Sequence, residues 1–310
     1  MASEVEILIV GGGLAGLTAG LGAARLGHSC TVLAGQIPGG QLLNIEKVEG
    51  LPGLEDGIAG YDLCPMVQEQ ATSAGAQVVT GEASALAREG DRWTVETSAG
   101  EFRARAVIVA TGSDLKPLGV PGEDRLRGKG VAQCASCDAP LLRGKTVAVV
   151  GGGDSACQEG LVLAAQVERV LLFHRGPELT AQPFWRARVA GAANLDLRAG
   201  TVVEEILGDN EVGAVRARNT VDGTLAELDV AAVFAYVGLA PNTGWLADVV
   251  VLGERGGIVT DVRLRTAVPG VLAAGSVRGG TSGQAAGASG DGTLAAFAAH
   301  EYLADGAWPG

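Results

Sequence analysis

The chain has 310 residues, 47% of them hydrophobic, which is enough for about two domains of ~150 residues with filled cores. Its 35 acidic against 23 basic side chains give a formal charge of -12 with no basic cluster, which excludes a footprint for nucleic acid or for an anionic membrane surface. The uncharged stretch Ile7 to Ala24 has the length of a weak membrane span, but its glycines sit at nucleotide-turn positions, so it reads as strand, turn and helix.

In chain order, Glu6 to Val10 is a short apolar, β-branched run that ends in Gly11-Gly12-Gly13-Leu14-Ala15-Gly16, followed by a helical segment over Leu17 to Leu26. Strand, GxGxxG and helix in this order form a dinucleotide-binding signature. Gly11 permits the tight turn, Gly13 lets the backbone approach a pyrophosphate, and Gly16 allows the helix to pack on the strand. The negative charge then faces a helix N-terminus. Thr31 to Leu33 is the expected second strand, yet Ala34-Gly35 stands where an acidic residue usually takes the ribose hydroxyl.

Phe102 to Val109 reads as a strand that ends in Ala110-Thr111-Gly112, and Pro117 and Pro121 break structure soon after, placing a domain crossover there. A second dinucleotide turn, Gly151 to Ala156, follows the strand Thr146 to Val150; a helix over Ser155 to Ala165 and a strand over Arg169 to Phe173 are expected after it. Val233 to Val237 is a further strand, and Gly238 to Thr243 a second breaker cluster. These signals predict an α/β fold class: two Rossmann-like three-layer nucleotide-binding domains, the second inserted into the first. The expected boundaries are 1–117, 118–240 and 241–310. Val271 to Ala274 then leads to a small-residue loop, Gly275 to Gly292, and a helix over Thr293 to Leu303.

Cys134-Ala135-Ser136-Cys137-Asp138 stands just before the second turn. A CxxC serves as a zinc half-site, a structural bridge or a redox couple. With no second CxxC and histidine only at 28, 174 and 300, no metal is expected, and a setting beside a dinucleotide turn points to redox chemistry. The pattern carries no secretory signal, so the expected location is the reducing cytoplasm, where a CxxC is more often catalytic than structural. Asp138 is placed to give or take a proton as a thiol leaves or arrives, or else to cap the next turn. Cys30, Cys64 and Cys157 have no paired spacing and read as buried thiols.

These motifs, with Pro38-Gly39-Gly40-Gln41, His174-Arg175, Pro241-Asn242-Thr243 and Gln284-Ala285, resemble the low-molecular-weight thioredoxin reductase family over nearly the whole chain. The resemblance implies FAD held by Gly11, Gly13, Leu14, Ala15, Gly16, Gly40, Gln41, Asn44, Thr111, Gly112, Gly275, Ser276, Gln284 and Ala285. It implies a pyridine nucleotide, NADP(H) or NAD(H), held by Gly151, Gly153, Asp154, Ser155, His174 and Arg175. It further implies a catalytic Cys134, Cys137 and Asp138, with Cys137 towards the flavin and Cys134 exchanging with the substrate, in a homodimer.

Four departures qualify those expectations. Of the arginines that normally hold the 2'-phosphate only Arg175 remains, and Glu178 adds negative charge nearby, which points to weak NADPH preference or NADH use. Ala139-Pro140-Leu141-Leu142 replaces the two aromatic residues that dock thioredoxin, so a small-molecule dithiol stands beside a thioredoxin-like protein as the expected partner. Gly275-Ser276 replaces Gly-Asp, and Gly283 replaces the Arg before Gln-Ala. The expected activity is two-electron exchange between the Cys134/Cys137 pair, FAD and a pyridine nucleotide or other acceptor. It runs either towards disulfide reduction or towards small-molecule dithiol oxidation. A thiol-independent flavin reductase or oxidase is a further alternative, against which the intact dithiol argues.

Overall fold

A computed structural model describes residues 2–246 and 248–308. All candidate site residues lie among them; the chain ends at 1 and 310 do not. The chain forms two compact units, Met1–Asp114 with Ala240–Gly310, and Leu115–Leu239.

The first unit opens with β1 (Ser3–Val10), α1 (Leu14–Arg25), β2 (Cys30–Ala34), α2 (Gly60–Ser73), β3 (Gln77–Thr80), β4 (Ala83–Glu89), β5 (Arg92–Thr97) and β6 (Gly100–Val109). The chain crosses to the second unit through β7 (Ser113–Leu115). That unit contains β8 (Val131–Ala132), the single helical turn α3 (Ala135–Asp138), β9 (Thr146–Val150), α4 (Asp154–Ala164), β10 (Arg169–His174), α5 (Pro183–Gly191), β11 (Leu195–Ala199), β12 (Thr201–Leu207), β13 (Ala214–Asn219), β14 (Leu225–Asp229) and β15 (Val233–Ala235). After the return strand β16 (Leu239–Pro241), which pairs with β7, the first unit is completed by β17 (Val271–Ala273) and α6 (Ala285–Asp305).

In the first unit β3, β2, β1 and β6 lie side by side and parallel, and β17 continues the sheet on the C-terminal half of β6. The N-terminal half of β6 instead pairs antiparallel with β5, which pairs with β4. Alternation along the strands fills two cores. Ile7, Ile9, Ala106 and Ile108 face α1 and α6, whereas Leu8, Val10, Val107 and Val109 face Leu86, Trp93 and Val95 of the β4–β5 meander. A strand buried on both faces reads as a continuous apolar run, which is why β1 and β6 were visible in sequence.

The second unit repeats the plan with an all-parallel sheet ordered β11-β10-β9-β15-β8. Val147, Val149, Leu172 and Phe234 face α4 and α5; Ala148, Val150, Leu171 and Phe173 face the antiparallel β12-β13-β14 sheet. Each unit thus packs helices on one face of a parallel sheet and antiparallel strands on the other, which makes a pair of Rossmann-like domains. The antiparallel strands are continuous with the sheet through β6 in the first unit and form a separate sheet in the second.

One expected loop is largely helix. The small-residue run to Gly292 was expected to be irregular, but α6 begins at Ala285. Gly292 is used for close packing: a Cβ there would lie 2.2 Å from the Ala15 carbonyl oxygen of α1. Interhelical contact at that distance outweighs the roughly 1 kcal/mol helix cost of a glycine. Thr18 and Ser289 hydroxyls, 3.2 Å apart, join the same two helices.

Candidate functional site

In the first unit, the candidate flavin residues gather where the parallel strands end. Gly11 has φ +119°, and a Cβ there would lie 2.1 Å from Ala110 O; a Cβ on Gly16 would lie 1.8 Å from Gly11 O. Gly13, by contrast, faces open space and caps α1 without a side-chain bond. The three glycines therefore differ as the motif's chemistry requires: a tight turn, an open backbone approach and a packed helix. The α1 first turn carries no acidic residue and leaves its amides available to an anion.

Three further loops close on this turn. Gly39 N donates to Gly12 O at 2.8 Å, and Gly13 forms a bridge to Gly39, so Gly40, Gln41 and Asn44 of the following 3-10 turn lie beside it. Gln41 Nε2 donates to Asp114 Oδ1 at 3.1 Å. After β6, Thr111-Gly112 is latched by Asn242: Thr111 Oγ1 donates to Asn242 O at 2.8 Å, Asn242 Nδ2 to Thr111 O at 3.2 Å, and Asn242 N to Gly112 O at 3.0 Å. After β17, Gly275 packs so closely that its Cβ would be 2.8 Å from the Ala15 methyl, and a Cβ on Gly112 would lie 3.7 Å from Ser276 Oγ. Gln284 is exposed at the start of α6, and Ala285 is the helix's first residue.

Sequence reasoning missed an ion pair beneath this loop. Asp291 on α6 accepts Gly275 N at 3.0 Å, and Arg278 grips its carboxylate with Nε at 2.6 Å and a terminal nitrogen at 2.9 Å. Both side chains are largely buried. The signal was one acidic and one basic residue, Asp291 and Arg278, as the charged pair of an otherwise uncharged, small-residue segment. The pair supplies the loop with a buried carboxylate that the Ser276 hydroxyl lacks.

In the second unit, Cys134 and Cys137 are joined as a disulfide with Cα atoms 5.3 Å apart across α3. Cys134 is half-buried and stands at the helix N-cap, where its sulfur accepts Cys137 N at 3.3 Å; Cys137 is exposed. Burial raises the proton affinity of Asp138 above the ordinary carboxylate range. Asp138 is the N-cap of the next 3-10 turn but makes no side-chain cap bond there, so the capping alternative is not what occupies it. Cys30, Cys64 and Cys157 are buried, and desolvation pushes each thiol up to about 11, which leaves them inert at neutral pH. Two residues of this region were not singled out in sequence: Tyr236, whose hydroxyl donates to Gln133 O at 3.1 Å beside Cys134, and Glu159, buried on the core face of α4, whose charge acts on Tyr236.

At the second turn, Gly151 is tight and Gly153 faces open space, as in the first unit. Asp154 Oδ1 accepts Gln182 N at 2.8 Å, tying α4 to the start of α5, and Ser155 is exposed beside it. The His174 ring lies against Gly152, where a Cβ would be 2.2 Å from Nδ1. His174 thus supports the turn itself. Arg175 is exposed with no ion-pair partner among the described residues, while Glu178 pairs with Arg186 at 3.8 Å. All these contacts lie within one unit or the other.

Two Rossmann-like domains, one carrying an exposed dithiol, define a flavin-linked disulfide oxidoreductase. A sequence profile of the family described as "Pyridine nucleotide-disulphide oxidoreductase" matches residues 5–292. The thioredoxin reductase of Treponema pallidum is 37% identical over 303 residues, covering 98% of each chain. That of Listeria innocua is 38% identical over 307 residues, covering 98% of this chain and 96% of its own. The crystal structure of Lactococcus lactis thioredoxin reductase superimposes with a TM-score of 0.94 at 32% identity, covering 97% of this chain and 99% of that one. The chain belongs to the pyridine nucleotide-disulphide oxidoreductase family, in its thioredoxin reductase-like branch, and is a FAD-dependent thiol–disulfide oxidoreductase.

Proposed function

We propose that the enzyme reduces the disulfide of a thioredoxin-like protein, with electrons drawn from a pyridine nucleotide. The observation that carries this reading is the Cys134–Cys137 disulfide on one exposed helical turn, in the unit that also bears the second dinucleotide turn. Full-length relatives bearing the name thioredoxin reductase support it. Leu141, 82% exposed beside the dithiol, offers a partner an aliphatic contact in place of the family's aromatic pair.

FAD, when bound, supplies two-electron exchange between a pyridine nucleotide and a dithiol. The residues fit it: Gly13 and the α1 amides would address the pyrophosphate, and Gly40, Gln41, Asn44, Thr111, Gly112, Gly275, Ser276, Gln284 and Ala285 would hold the remainder. Gly151, Gly153, Ser155 and Arg175 would address the pyridine nucleotide.

Within the chain, the Cys137 N–H stabilises negative charge on Cys134, which favours Cys134 as the attacking thiolate. Its sulfur bonds to one sulfur of the partner disulfide, whose other sulfur leaves as a thiolate and takes a proton. Cys137 then attacks the Cys134 sulfur, reforming the internal disulfide and releasing the partner's second thiol. Two electrons and two protons pass to the partner. Asp138, with its raised proton affinity, is the group that holds a proton beside the leaving sulfur. A homodimer in a reducing cytoplasm belongs to the same proposal. Among the described residues, no helix is long and apolar enough to cross a membrane.

A second reading, oxidation of a small-molecule dithiol, is favoured by Ala139 to Leu142, which leave no aromatic docking residue, and by the single exposed Arg175. One experiment separates them. The flavin-loaded enzyme is mixed anaerobically with NADPH or NADH, then with thioredoxin, and in parallel a dithiol is offered under air. Bleaching by nucleotide and reoxidation by thioredoxin supports the reductase. Bleaching by a dithiol alone, with peroxide formed on turnover, replaces it with the oxidase.

A further inference from the structure

Tyr236 follows β15 and touches both functional elements of the second unit. Its N–H donates to Val150 O at 2.8 Å at the end of β9. Its carbonyl stands so close to the second dinucleotide turn that a Cβ on Gly151 would lie 2.4 Å from the oxygen. The side chain is buried in the same core cluster as Ala135, which stands between the two cysteines, and Ala139, which follows them. At the far end of the ring, the hydroxyl donates to the main-chain carbonyl of Gln133, the residue before Cys134. Strand β8 stops at Ala132, so Gln133 lies beyond the ladder and is held by this bond. Burial, with the carboxylates of Glu159 and Asp138, disfavours the phenolate and outweighs an opposing hydrogen bond with the Ala135 backbone, which keeps the hydroxyl a donor.

Resting on the reading of Cys134 and Cys137 as the redox pair, we propose that Tyr236 is a positioning residue: it ties the segment entering Cys134 to the second dinucleotide turn, and keeps the reduced thiols near bonding distance. While the disulfide is closed, the covalent link fixes the two cysteines. On reduction that link is gone, and the approach of Cys134 to Cys137 depends on the anchors at each side of α3. Downstream the anchor is apolar burial of Ala139; upstream it is the Tyr236 hydroxyl. Removing the hydroxyl lowers the effective concentration of one thiol at the other, so the open dithiol gains relative to the disulfide.

The test is a redox equilibrium on the full-length, flavin-loaded enzyme against the dithiothreitol couple, followed by alkylation of open thiols and mass measurement. In that exchange the protein's two thiols give up two electrons and two protons as their S–S bond forms. Oxidised dithiothreitol takes up both as its own S–S bond breaks. Tyr236→Phe keeps the buried ring and removes the hydroxyl with its hydrogen bonding to the Gln133 and Ala135 backbone, so its disulfide should close about threefold to tenfold less favourably. That moves the potential about 15–30 mV in the less negative direction. Gln133→Ala keeps the main-chain carbonyl and should retain the wild-type equilibrium. A Tyr236→Phe value equal to wild type, or an equal shift in Gln133→Ala, overturns the role of Tyr236. A wild-type protein with no equilibrium between dithiol and disulfide would instead remove the redox reading of the pair, and this proposal with it.

Discussion

At the scale of single residues, five cysteines divide into two kinds by environment. Cys30, Cys64 and Cys157 are desolvated thiols; Cys134 and Cys137 stand on an accessible turn with a hydrogen bond onto one sulfur. After gentle reduction, iodoacetamide near pH 8 should therefore modify Cys134 and Cys137 and spare the other three, read by peptide mass; labelling of Cys157 at a comparable rate would contradict the assignment. Between the pair, Cys137→Ser should trap a stable mixed disulfide with an oxidised thioredoxin-type partner through Cys134. Cys137 is nonetheless the more exposed of the two, so a complex trapped instead in Cys134→Ser would reverse the order of attack.

Asp138 gives a pH signature. Its folded pKa lies above the unfolded value because of burial, so the folded chain keeps the proton longer. The cost of the buried carboxylate is absent below the unfolded pKa and grows as pH rises through the folded one. Asp138→Asn should thus match the wild-type urea midpoint in acid and exceed it towards neutral pH, while slowing thiol exchange. The CxxC and Asp138 were legible because their chemistry depends on adjacent residues. Tyr236 and Glu159 were not, because Tyr236 reaches the segment entering Cys134 from the end of β15 and Glu159 faces Tyr236 from α4, and only the folded sheet order β9-β15-β8 brings those segments together.

At the scale of elements, the Gly-rich turns show how far a motif carries. Strand, turn and helix were readable in both units because the run of buried β-branched residues ends abruptly in glycine. The antiparallel layers β4–β5 and β12–β14 were not predicted, since strands such as Leu225–Asp229 are exposed and carry no apolar alternation. The early start of α6 was hidden by its small residues, among which Gly292 serves close packing on α1 rather than a loop. Its Asp291–Arg278 pair is the element's connection to the flavin loop. Asp291→Ala should cost roughly 1–3 kcal/mol in denaturant unfolding, allowing for partial exposure, because it strands the Arg278 charge and the Gly275 amide. The same variant should bind FAD more weakly in titrations of apoprotein; unchanged stability and affinity would show that Ser276 and the backbone suffice.

At the scale of the whole molecule, two Rossmann-like units in one chain, one discontinuous and one inserted, match the requirements of an enzyme that passes electron pairs between two nucleotides and a dithiol. The sequence motifs carried that plan because each is local. Exposed Arg175 and the Glu178–Arg186 pair predict little loss of kcat/KM when NADH replaces NADPH. The central claim is that flavin and dithiol share electrons. Anaerobic reductive titration of the flavin-loaded chain tests it most directly: wild type should take up about four electrons, two in the flavin and two in the disulfide, and the Cys134→Ser, Cys137→Ser double variant about two. Equal uptake by both proteins would contradict the account.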